Sequence, residues 1–180
     1  MKIFYLPIVL IVTLAACDKN TETPLPINTS KVEDSYQVAP LMKYEPLYVE
    51  RTGYSIGYSN DLFSVVIQEY GSALQYQSRA GVVNVLEGVV EDPESTGYVV
   101  IEKAYRFGDK YLIIISTGEN GNSCPATTYA FTFDTKIESV TGKKIIDGCS
   151  EILESFSDGN KLIVKKDGET SVFYNGEVTG

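Results

Sequence analysis

The chain has 180 residues, of which 43% are apolar, and its 15 basic and 24 acidic side chains give a formal charge of −9. This suits one domain, or one domain plus a tether, with a real core; the acidic balance, with no Lys/Arg cluster, argues against nucleic acid and reads as simple solubility or, if charge selects a partner, as selecting a basic one. There is no histidine and no tryptophan, which removes Ser-His-Asp and Cys-His nucleophile systems and the commonest zinc ligand.

The first stretch, MKIFYLPIVLIVTLAACDKN, has the layout of a signal peptide over residues 1–16. Lys2 is a short basic start, Ile3 to Leu14 are mostly apolar, and small residues precede Cys17. The run is shorter than the roughly 20 apolar residues that a membrane span needs. Leu14-Ala15-Ala16-Cys17 resembles the lipobox of bacterial lipoproteins. The alternatives are a buried core helix with an incidental cysteine and a plain secretory signal. Neither requires the basic start, the length and the tetrapeptide to coincide. The resemblance implies that the Cys17 sulfur takes a diacylglycerol, that the bond before it is cut, and that the new N-terminus is acylated, with palmitate a typical chain. Several chains on one residue anchor stably. The expected location is the bacterial cell envelope, lipid-anchored and facing the periplasm. Asp18, at the second mature position, resembles an inner-membrane retention signal, which sets the inner membrane ahead of the outer.

Residues 17–45 are rich in Pro, Thr, Ser and charge and read as a lipidated N-terminus and flexible tether, with apolar residues denser near YQVAPLMKY. A single β-rich domain is expected over 46–180. PLYVERTGYSIGYS, LFSVVIQEY and ALQYQS carry β-branched, aromatic or alternating residues and read as strands. VVNVLEGVVE reads as strand or short helix, its valines favouring strand. DPESTG is a turn. YVVIEKAYRF and KYLIIIST flank Gly108-Asp109 as a hairpin, and the unbroken apolar run of the second suggests a central strand buried on both faces. In CPATTYAFTFDT, alternation sets Tyr129, Phe131 and Phe133 on one face and Thr128, Ala130 and Thr132 on the other. KIESVTGKKIIDGCSEILESFS continues as strands, or as a short helix at CSEILESF capped by Ser150; EDSYQVAPLM is a second short-helix candidate. The clearest stretch is last: KLIVKK, turn Asp167-Gly168, TSVFY, turn Asn175-Gly176 and a final strand. The expected fold is all-β, an antiparallel sandwich, barrel or meander with one disulfide and at most short helices.

With Cys17 given to lipid, Cys124 and Cys149 remain, and an even pair in an exported protein reads as a disulfide, worth about 3 kcal/mol in the chain-entropy account. A reactive thiol would want a neighbouring base, and a Cys-x-x-Cys motif is interrupted by Thr127. The C-terminal part, through Cys124-Pro125-Ala126, Gly148-Cys149-Ser150 and the terminal VFYNGEV, resembles a group of uncharacterised proteobacterial secreted β-rich proteins. That resemblance supports the disulfide and implies no activity.

Carboxylates are the one catalytic group in quantity. Glu91-Asp92-Pro93-Glu94 clusters three in a turn but lacks a calcium-loop pattern. No metal or cofactor is expected, and GENGNS lacks the ending of a phosphate loop. Thirteen tyrosines include Tyr54, Tyr58, Tyr70 and Tyr76, a candidate recognition surface. The expected function is a non-enzymatic, lipid-anchored periplasmic binding or inhibitor protein with a protein partner, in its specific form an immunity protein against an envelope-targeted toxin. A structural or accessory lipoprotein of an envelope assembly is the alternative, and a carboxylate-based hydrolase a third.

Overall fold

The computed structural model describes residues 41–50, 55–56, 62–118, 126–146, 148–149 and 152–179. The chain divides into two compact units, Met1–Gln37 and Val38–Gly180, and every described residue belongs to the second. Short strands β1 (Glu45–Pro46) and β2 (Ser55–Ile56) come first, then β3 (Phe63–Ile67), β4 (Ser72–Ser78) and β5 (Gly81–Asn84). Two 3₁₀ turns, Val85–Gly88 and Pro93–Ser95, lead into β6 (Tyr98–Phe107), β7 (Lys110–Gly118), β8 (Thr127–Asp134) and β9 (Ser139–Ile146). The chain closes with β10 (Leu153–Asp158), β11 (Lys161–Lys166) and β12 (Glu169–Tyr174).

All described pairings are antiparallel, in three open sheets: β2-β3-β4-β5, β1-β6-β7-β8-β9 and β10-β11-β12. The expected all-β class is observed as layered sheets, and none of the described sheets closes into a barrel. The five-stranded sheet lies between two cores. One is built with the N-terminal sheet from Phe63, Leu74, Leu86, Ile101, Ile113, Phe131 and others. The second is built with the C-terminal sheet from Phe107, Leu112, Ile114, Leu162, Val164 and Phe173 among others.

Strand β7 shows how the sequence produces this. Leu112, Ile113, Ile114 and Ile115 are all fully buried. Because successive strand residues point to opposite faces, Ile113 and Ile115 enter the first core while Leu112 and Ile114 enter the second. On β8, Phe131 and Phe133 lie in the first core and Tyr129 packs against it; Thr128, Ala130 and Thr132 are fully buried on the opposite face. A register shift between Ile101 and Lys103 inserts one residue into β6. That bulge reverses the alternation, so Val99 and Ile101 feed the first core but Tyr105 and Phe107 feed the second.

The turns follow their chemistry. Asp167 and Gly168, and again Asn175 and Gly176, all have positive φ, as the tight turns that match strand twist require. Past the last turn, Thr132 Oγ1 donates to Gly176 O and accepts from Val178 N, both at 2.9 Å. This lays the terminal segment on β8 and β9. Gly142 is required there: a Cβ would stand 2.1 Å from Val178 O.

Three local expectations change. The tether does not run to residue 45. Tyr44 is buried, its N–H donates to Gly159 O and its hydroxyl accepts from Gly176 N, while Glu45 and Pro46 pair with β6. VVNVLEGVVE is strand only to Asn84, whose side chain accepts from Leu86 N and turns the chain into a 3₁₀ helix. The LESF part of CSEILESF is strand, because its alternate residues sit across from β11; Ser150 and the EDSYQVAP segment lie outside the described residues.

Candidate functional site

Of the tyrosines singled out by sequence, the two described ones, Tyr70 and Tyr76, do not share a surface. Tyr76 is buried on β4, in an aromatic cluster with Phe63 at 5.2 Å and Phe133 at 4.6 Å between ring centroids. Burial, and then the charge of Glu138, push its phenol above the usual range. It is a core residue, because it shares a strand face with Leu74. Tyr70 is exposed, in the turn between β3 and β4 beside exposed Ile67. Gly71 there has φ +83°, and a Cβ would meet Glu94 O at 2.5 Å, so the hairpin tip sits against the acidic turn. Tyr54 and Tyr58 lie outside the described residues, as do Cys17, Asp18 and Cys124. Cys149 is disulfide-bonded.

The acidic turn is organised by its own hydrogen bonds. Ser95 Oγ donates to Asp92 Oδ2 at 2.6 Å, and Thr96 Oγ1 donates to Asp92 O at 3.2 Å. Glu91, Asp92 and Glu94 are exposed. Burial and the neighbouring Glu91 charge push Tyr129 up. Among the described residues, no group of three or more His, Cys, Asp or Glu is placed to hold a metal ion. No helix among them is long and apolar enough to cross a membrane.

One surface was not singled out by the sequence reading. The inner face of the C-terminal sheet packs Leu162, Val164 and Phe173 into the second core. That inner face ends in a polar chain: Lys166 Nζ, buried, donates to Thr128 Oγ1 at 2.7 Å, and Thr128 Oγ1 lies 3.2 Å from Ser116 Oγ. The outer face is fixed by register. Read across β10, β11 and β12, its rows are Glu154–Lys165–Thr170, Phe156–Ile163–Val172 and Asp158–Lys161–Tyr174. The middle row is wholly apolar, yet Phe156 is 63% and Val172 38% exposed, and Tyr174 beside it is 51% exposed. Rows carrying Lys opposite Glu or Asp frame it on both sides. An aromatic and two branched aliphatics held on a rigid sheet offer desolvation without much ordering cost on contact.

A signal for this face exists in the sequence. Phe156 has Glu154 and Asp158 two positions either side, and Ile163 has Lys161 and Lys165. With a period of two, charged neighbours at i−2 and i+2 mark an apolar residue as standing on a solvent face.

The fold and this surface together define a layered all-β protein with an apolar row exposed on an outer sheet face that no described residue covers. Compared with protein-family models, curated proteins and solved structures, the chain matches none.

Proposed function

We propose that this chain is a lipid-anchored, periplasm-facing protein of the bacterial envelope that binds a protein partner and has no enzymatic activity of its own. The observation that carries the reading is the apolar row Phe156–Ile163–Val172, left uncovered on the outer face of the C-terminal sheet. Its most specific form is an immunity-type inhibitor that captures an envelope-targeted toxin. The anchor would be Cys17, with the domain stapled by a Cys124–Cys149 disulfide.

The expected partner is a basic protein, since the chain carries −9. A second copy is a poor occupant of the face. In-register stacking about a two-fold axis along β11 sets each lysine over its own copy, and about an axis across the strands sets Glu154 over Asp158. The carboxylate reading has less support: Glu91 and Glu94 stand exposed on a turn, not around a shared substrate position.

In-cell cross-linking of the full chain, wild type against Val172→Glu, tests the reading. A cross-linked protein that disappears in the variant is expected. Identical products from both chains would remove the face as a binding surface, and products that are membrane-complex subunits would favour an accessory role in an envelope assembly. The anchor is tested separately: Cys17→Ser should move the protein out of the membrane fraction.

A further inference from the structure

We infer that the partner binds as an added β-strand on the outer edge of β10, and that the strand it supplies follows the pattern cation–x–apolar–x–cation. This rests on the proposed binding role of the C-terminal sheet and specifies its mode and the chemistry recognised.

Strand β10 ends its sheet, and no described residue pairs with its outer side. The Gly159-Asn160 turn makes Asp158 and Lys161 the first pair of the ladder. In such a two-residue hairpin that pair is hydrogen-bonded, and bonded pairs then alternate. Glu154, Phe156 and Asp158 therefore direct their backbone groups to β11, while Leu153, Ser155 and Ser157 direct theirs to the open side.

Two other edges, β9 and β12, are blunted. Strand β9 carries a register shift, Gly142 and two lysines, devices that deter strand addition. Strand β12 is turned back on itself at Tyr174, whose carbonyl accepts from Glu177 N. Strand β10 has six residues, no proline, no lysine and an unshifted register.

The identity of the strand follows from what β10 already accepts on its other side. There β11 sets Lys165, Ile163 and Lys161 against Glu154, Phe156 and Asp158. A second strand of the same pattern would give both carboxylates a cation and extend the apolar row by one residue. Self-pairing does not satisfy the edge. Setting Phe156 against Phe156 sets Glu154 against Asp158, a shift by one position opposes residues of opposite faces, and a shift by two sets Phe156 against a carboxylate. The outer face is small, roughly 250 Å² from strand spacing and rise, against about 800 Å² per partner in a stable interface. Main-chain hydrogen bonds along an edge supply the missing contact.

The test uses the full chain in detergent micelles and the capped peptide Thr-Lys-Thr-Ile-Thr-Lys-Thr, with a second peptide carrying Glu in place of both Lys. The Lys peptide should bind and slow amide exchange at Leu153, Ser155 and Ser157 but not at Glu154 or Phe156. The Glu peptide should bind at least about tenfold more weakly. Ser157→Pro should abolish binding while leaving the domain folded, because that N–H is outside the internal ladder. No binding of the Lys peptide, equal binding of both peptides, or binding that survives Ser157→Pro would overturn strand addition. If the Val172→Glu cross-linking difference nevertheless holds, the face remains the binding surface and only the mode is lost.

Discussion

Strands β7 and β11 are the middle strands of neighbouring sheets, and both read in sequence as apolar runs after a tight turn. The difference is what covers them. Leu112 to Ile115 of β7 are buried on both faces, so every side chain of the run is structural. In β11, Leu162 and Val164 are buried while Ile163, between Lys161 and Lys165, looks outward. The charges on alternate positions are what separate a strand inside two cores from one that finishes a core and offers its other face. The apolar row on that face is a surplus over what the fold needs, and the proposed binding role rests on it.

The largest effect should come from β7. Leu112→Ala leaves a cavity between the central and C-terminal sheets and should cost about 2–5 kcal/mol in denaturant unfolding. A cost below about 1 kcal/mol would mean that the two sheets do not share a tight core. Next is the polar stitch beneath the last turn: Thr132→Val keeps the shape but removes the acceptor for Val178 N and the donor to Gly176 O. Leaving a buried N–H unpaired should cost roughly 2–3 kcal/mol, read as a shift in midpoint without a change in slope.

Alkaline pH probes the same corner. Burial pushes the Tyr44 phenol up to about 12, offset in part by the Gly176 N–H that its oxygen accepts. An acid whose folded value lies above its unfolded one favours the fold while protonated. Its contribution, on the order of 2 kcal/mol, is therefore whole below pH 10 and lost as pH rises toward 12. A Tyr44→Phe chain should lack that step, and an unchanged alkaline limb would contradict the assignment. Smallest of all should be the stability effect of Ile163→Thr, about 1 kcal/mol or less, since its side chain faces outward.

Much of this fold was legible in the sequence. Asp167-Gly168 and Asn175-Gly176 announced their turns through residues that tolerate positive φ, the run LIII announced a doubly buried strand, and Phe131 and Thr132 announced opposite faces by alternation. The bulge in β6 was not legible, because nothing in EKAYRF marks where an extra residue enters the ladder. Of the candidate recognition tyrosines, Tyr76 is a core residue. Tyr70 and Tyr76 are six positions apart and chemically alike, but one falls in a turn and the other on the core face of β4. Phe156 carried its signal in Glu154 and Asp158, a pattern that composition alone conceals.

The most direct measurement compares Phe156 and Tyr70, exposed on two different parts of the domain, in one experiment. Full-length wild type, Phe156→Ser and Tyr70→Ser are cross-linked in cells, and the unfolding midpoint of each is recorded alongside. If the outer face of β10–β12 is the binding surface, Phe156→Ser loses the partner while keeping its midpoint within a few degrees, and Tyr70→Ser retains both. A partner lost with Tyr70→Ser and retained with Phe156→Ser would contradict it, moving recognition to the β3–β4 hairpin tip.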